Sequence, residues 1–343
     1  MRYLVIVFGY AAVVLVVISA YQGRVPFDLG GRSAGGGLCG TALAPGDYAW
    51  PVKPFDEQHP IRGGFGDPRT LTTMAFGTDA AGGPGSFSFH NGVDIAAPPG
   101  TRVYPVVSGW ATIVSGDQVR VLSGKRIFRY QHIRPLIGHA KRVDAGVTVL
   151  GTVKRGFDHV HLTEIDGTRV VDPLLHLRPY HDRTTPKVLH VFFAGAAGGV
   201  VSPSALTRRV VVTAQIDDAQ PIRVPGIWGG YPLAPAYVGA AILDADGAVV
   251  WRRIVADFRL TEPPQQDFWD VYARGTFQNF PVFGHRYYFG QPGRYVFRIT
   301  RDPLDVRRFA DGDYTLRITA ADLCGNASTT TRPLRFAGQV PES

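Results

Sequence analysis

Cysteine is nearly missing from this chain: Cys39 and Cys324 are the two in 343 residues. Two cannot build a disulfide framework or a four-cysteine zinc site. They allow one long-range bridge in an exported chain or two free thiols, and the sequence leaves both open. Charge is also sparse, at 19% of residues, and the net +8 from 36 basic and 28 acidic side chains is spread thinly along the chain. No segment concentrates the excess, which argues against a nucleic-acid partner; a diffuse basic surface suits an anionic wall or membrane face instead. The 41 Gly and 26 Pro follow no fixed period and sustained heptads are absent, so collagen-like and coiled-coil folds are excluded. What is present, 45% hydrophobic residues, is enough to bury a core and rules out disorder as the main state. The length suits two domains.

Residues 3–20, YLVIVFGYAAVVLVVISA, carry no charge. Eighteen such residues span a bilayer as a tilted or slightly short helix, and Ile18 and Ala20 offer a small-residue cleavage site. Residues 1–22 therefore read as a signal anchor or signal peptide, and the remainder leaves the cytoplasm. Residues 23–45 are Gly-rich and read as a flexible tether. Short alternating strands fill 46–183, among them a hairpin with Ser123-Gly124-Lys125 at its tip. The stretch 181–187 (HDRTTPK) reads as a linker. Strands resume over 187–338, with a hairpin about Asp244–Gly247 and a tail like the last strands of immunoglobulin-like modules. The expected fold is all-β: an antiparallel β-sandwich followed by an immunoglobulin-like β-sandwich.

Three clusters between residues 90 and 161 carry the chemistry: His90-Asn91-Gly92-Val93-Asp94, Tyr130-Gln131-His132 and His159-Val160-His161. Side chains at i and i+2 of a strand leave one face, so His159 and His161 point together. Positions i and i+4 share a strand face too, which allies His90 with Asp94 across Gly92. Two imidazoles and a carboxylate form a catalytic zinc set with an open position for water. Two histidines then remain for proton transfer and charge stabilisation.

Order, spacing and flanking turns resemble the lysostaphin-type, or LytM-like, zinc endopeptidases of bacterial peptidoglycan. The likeness runs from Arg62-Gly63-Gly64-Phe65-Gly66 through HNGVDIAAPPGTRVYPVVSGWATIV to VDPLLHL at 171–177. The resemblance implies that His90, Asp94 and His161 hold one zinc ion and that His132 and His159 form the catalytic pair. It further implies a peptidase cutting peptide cross-links of peptidoglycan, exported and tethered to the cytoplasmic membrane through its N-terminal helix. The sequence identifies no protein regulator. The alternative is a non-hydrolytic LytM-like module that binds the wall and regulates another hydrolase, although such modules have typically lost zinc ligands. A purely structural envelope protein leaves the His/Asp set unexplained.

Other residues receive plainer readings. His59, His139, His176, His181, His190 and His285 match no ligand position and are taken as surface or core. Asp158 and Glu164 flank the HxH and are read as solvated charges rather than groups orienting an imidazole. Residues 75–89 read as an extra loop before the first ligand. The nine aromatics between Phe268 and Phe289 read as core filling ahead of a wall-binding surface. The C-terminal sandwich is assigned to positioning or recognition.

Overall fold

A computed structural model describes residues 38–71, 78–79, 86–277, 282–283, 286–287 and 292–338. The apolar run 3–20 and His285 lie outside them, and no helix among the described residues is long and apolar enough to cross a membrane. The fold is all-β, with one single-turn helix, Phe268–Val271, among the described residues.

The first half is organised by an eight-stranded antiparallel sheet. Its central strand is His159–Asp166, flanked by Val93–Ala96 on one side and Arg126–Gln131 on the other. Period-two alternation explains the layout. Val160 and Leu162 enter the core, where Leu162 faces Tyr130 across the ladder and Tyr130 faces Val119. Burying each such aliphatic side chain contributes roughly 1.5–3 kcal/mol. His159 and His161 leave the other face of the same strand. A one-residue slip would exchange the two sets, so the apolar residues fix where the histidines point. A three-stranded sheet of Arg102–Val103, Ile133–Pro135 and Gly151–Val153 closes the same core with Val103, Ile133 and Val153. The expected hairpin at Gly124-Lys125 is present between Gln118–Ser123 and Arg126–Gln131.

The second half holds two four-stranded antiparallel sheets. One contains Lys187–Gly195, Arg209–Asp217, Val296–Arg298 and Leu304–Asp305; the other contains Val249–Asp257, Tyr237–Leu243, Gly312–Ala321 and Ala327–Phe336. Val210, Val212, Ala214 and Ile216 alternate into the interior against exposed or half-exposed partners.

Four expectations need correction. Residues 86–89 are not loop: Ser86–Phe89 pairs with Pro68–Leu71. The gain is burial, since Phe87 and Phe89 pack on Phe258, Phe268 and Tyr272 of the second half. Gly66, at φ +80, permits this approach, because a Cβ there would lie 2.5 Å from the Phe258 ring. The tether is fixed from Leu38 onward: Leu38 N–H donates to Leu323 O, Gly40 pairs with Tyr180, and Cys39 is bridged to Cys324. The segment 181–186 carries no strand but is bonded to both halves, His181 N–H to Gln58 and Asn326 to Asp182 O. Glu164, finally, is fully buried, accepting from the Tyr48 hydroxyl at 2.6 Å and from Arg126 Nε at 2.8 Å, with His176 Nδ1 at 3.0 Å. It fastens the entry and exit of the first half to the central strand, and three partners replace the water it gave up. The described part of the aromatic run fills core, with Phe268, Tyr272 and Phe277 buried.

Candidate metal centre

The strand pairing sets His161 directly opposite Asp94, and a turn through Asn91-Gly92 brings in His90. His90 precedes the strand, which begins at Val93, so the i,i+4 approach comes from the turn and not from a shared strand face. Gly92 is required for it: a Cβ would strike the Leu162 carbonyl and stand 2.9 Å from His161 Nε2. Three atoms converge. His90 Nε2 lies 2.8 Å from His161 Nδ1 and 3.1 Å from Asp94 Oδ1, and His161 Nδ1 lies 3.0 Å from Asp94 Oδ1.

Their proton inventory tests whether a cation belongs there. A carbonyl only accepts, so the 2.7 Å contact of His90 Nδ1 with Gly64 O places the ring proton on Nδ1 and leaves Nε2 bare. His161 Nε2 meets Thr163 Oγ1 at 2.8 Å, and a proton donated there leaves Nδ1 bare as well. Burial, reinforced by the Arg69 charge, pushes the His90 imidazole down to about 3, so it is neutral at ordinary pH. Burial works to raise the Asp94 carboxyl, but His90, His159 and Arg69 outweigh it and hold it well below the usual carboxylate range. Two lone pairs and an anionic oxygen thus face one another within 3.1 Å. A cation, or a proton on His161 Nδ1 shared with Asp94, relieves such a set, and the N,N,O donors fit zinc. Arg69, absent from the sequence reading, donates to Asp94 Oδ2 at 2.8 Å and stands beside buried Asp67 at 3.6 Å. Asp67 in turn accepts from Gly64 N–H and from Ala234 N–H of the second half, fixing the loop that orients His90.

His159 and His132 stand next to this triad. His159 Nδ1 lies 2.6 Å from Phe157 O and 2.9 Å from the Arg62 guanidinium, and its Nε2 lies 3.4 Å from Asp94 Oδ1. His132 stacks on Phe157 at 4.2 Å and meets His159 edge-on at 4.8 Å. Burial, then the His159 ring, pushes His132 down to about 3. Its Nδ1 is buried without a hydrogen-bond partner. His132 and Asp158 adopt left-handed backbone, at φ 63 and 57, and no other described non-glycine residue does. Such strain costs on the order of 1–3 kcal/mol and gathers at functional sites. Asp158 itself is exposed, as read from sequence.

Arg62 completes the rim. Its guanidinium reaches Phe157 O, lies 2.9 Å from His159 Nδ1, and is covered by the Trp228 ring of the second half. Burial lowers Arg62 to about 10, still charged at neutral pH. Arg62 stood at the head of the recognised motif, but nothing in the sequence pointed to Trp228. Of the remaining described histidines, His139, His181 and His190 are exposed and His59 is half-buried. His176 belongs to the Glu164 cluster. A second group of carboxylates, Asp182, Asp218 and Asp322, meets at the junction of the halves.

No protein-family model matches the chain. No curated protein matches it. Among solved structures it is similar to Helicobacter pylori Csd3, with 20% identity over 32% of this chain and 33% of that one at a TM-score of 0.25. It is also similar to the M23 metalloprotease pseudoalterin from the deep sea, with 16% identity over 38% of this chain and 76% of that one at a TM-score of 0.25. Latent PorU of Porphyromonas gingivalis is matched over 82% of this chain and 20% of its own, with 13% identity and a TM-score of 0.24. The chain spans about a third of the Csd3 chain. The functional reading rests on the site.

Proposed function

We propose that this chain is a zinc metalloendopeptidase hydrolysing peptide cross-links of bacterial peptidoglycan. In this reading it is exported and held at the cytoplasmic membrane by residues 3–20. One observation carries the proposal: His90, Asp94 and His161 converge within 3.1 Å, with two further imidazoles, His159 and His132, beside them. A zinc ion held by the triad would polarise a peptide carbonyl and acidify water. His159, with Nδ1 held at the corner of Phe157 and Arg62 and Nε2 toward Asp94, is the imidazole of this reading that handles a proton beside the triad. His132, neutral and stacked on Phe157 beside it, is the second member of the pair. Arg62 holds the Phe157–His159 corner in place. The Cys39–Cys324 bridge supports an oxidising compartment.

The test is metal content by mass spectrometry of the purified chain, followed by digestion of isolated peptidoglycan. One zinc per chain with release of cross-linked peptides supports the reading. Absence of zinc removes the peptidase reading, and stoichiometric zinc with no cleavage by the wild-type protein sends it to the regulatory alternative.

A further inference from the structure

Along the sequence, residues 186–343 carry 17 basic against 14 acidic side chains, too even a balance to mark a site. Folding changes the picture. A cavity of about 750 Å³ on the second half is lined by Arg209, Arg252, Arg253, Arg301, Arg307 and Arg308. Asp302 and Asp305 are its only acidic lining residues, so four positive charges are in excess. The arginines arrive from both sheets: Arg209 faces Asp305 across one ladder, while Arg252 and Arg253 belong to the Val249–Asp257 strand of the other.

Half of these charges are already engaged. Arg307 grips Asp305 with two N–H groups at 2.8 and 2.7 Å, and Arg301 pairs with Asp270 at 2.8 Å. Arg253 donates to the carbonyls of Arg298, Ile299 and Asp270. Arg209, Arg252 and Arg308 are exposed, and among the described residues no carboxylate lies within ion-pair distance of them. Three guanidiniums without an ion-pair partner around one hollow favour an anion there.

We infer that this cleft binds a polymer in which sugars or polyols alternate with phosphodiesters. Guanidinium forks match phosphate oxygens, and a ligand with repeated charges meets several of them at once where a lone anion cannot. The walls also offer half-buried Trp251 and Phe309 with Pro303 and Leu304, apolar surface for the C–H faces of a sugar or polyol. The site is concave, which admits a chain but not the plane of a bilayer. The Cys39–Cys324 bridge fits an oxidising compartment, where wall polymers and not nucleic acids are the phosphodiesters at hand. The cleft shares no residue with the metal centre, so its binding can be tested apart from hydrolysis, while the choice of a wall polymer rests on the exported, wall-facing reading proposed above.

The experiment is calorimetric titration of the full chain with a short poly(glycerol phosphate) at about 50 and about 200 mM salt. Saturable binding is expected, weakened about tenfold or more in the double variant Arg252→Gln/Arg308→Gln, with a log–log salt slope shallower by roughly 1.5. The variant pair Arg252→Lys/Arg308→Lys should recover the salt slope but only part of the affinity, since an ammonium lacks the guanidinium fork, and both variants should melt where the wild type does. Absence of saturable binding, or unchanged affinity in the Gln variant, overturns the inference. So does equal or tighter binding of polyglutamate, of an oligonucleotide of the same charge, or of phosphatidylglycerol vesicles.

Discussion

The guanidinium carbon of Arg62 lies 3.5 Å from the centroid of the Trp228 ring, so a loop of the second half touches the side chain that braces His159. Gln220 holds that loop, bonding Trp228 O, Val224 N–H and Gly230 N–H. A desolvated cation–π contact contributes about 2 kcal/mol. Trp228→Ala should therefore lower kcat several-fold, leave KM nearly unchanged and leave bound zinc at the wild-type level. Steady-state kinetics on a cross-linked peptide decide it, and wild-type kcat in this variant would remove the bracing role.

The ligands and the proton-handling pair should separate cleanly. His161→Ala is expected to lose stoichiometric zinc while far-UV circular dichroism stays that of a folded β protein. His132→Ala and His159→Ala should keep zinc yet lose hydrolysis by about 100-fold or more. Full zinc occupancy in His161→Ala sinks the ligand assignment.

Asp218 sets a slope of stability against pH. Burial, reinforced by Asp182 and Asp322, pushes its carboxyl up to about 8, against about 4 in an unfolded chain. The folded state then binds more protons between those values, so this contribution is fully present below about pH 4 and lost as pH rises through about 8. Asp218→Asn should match the wild type near pH 4 and melt at a higher temperature near pH 9. Parallel melting curves at both pH values refute the account.

Reduction should loosen the whole chain. Cys39 and Cys324 are 285 residues apart, and closing so long a loop stabilises by about 5–6 kcal/mol in the chain-entropy model. Cys39→Ser/Cys324→Ser should melt well below the oxidised wild type and coincide with the reduced wild type. Two free thiols in denatured, unreduced protein would show that the bridge is not made.

The histidine pair on the central strand was legible because a period of two is visible in eight residues: Val160 and Leu162 alternate with His159 and His161. Hairpin tips were legible for the same reason, since turn residues punctuate the alternation. Arg69, Trp228 and the burial of Glu164 were not. Arg69 reaches Asp94 across 25 positions and Glu164 reaches Tyr48 across 116, and no local pattern encodes such pairings. The arginine cleft was hidden by averaging, because its residues lie in separate segments of nearly balanced charge. Ser86–Phe89 looked like loop because the Gly-rich residues before it masked four alternating residues whose packing partners lie near residue 270.

The convergence of His90 and Asp94 on His161 joins positions 71 and 67 residues apart. In an unfolded chain these donors are scattered, and the entropy of closing such loops must be met before any of them can share an ion. The three donors can share an ion only once Val93–Ala96 has paired with the central strand. Under the exported reading proposed above, a polypeptide threaded through a membrane in extended form would carry no assembled site across. It would then acquire its metal on the far side and be inert until it did.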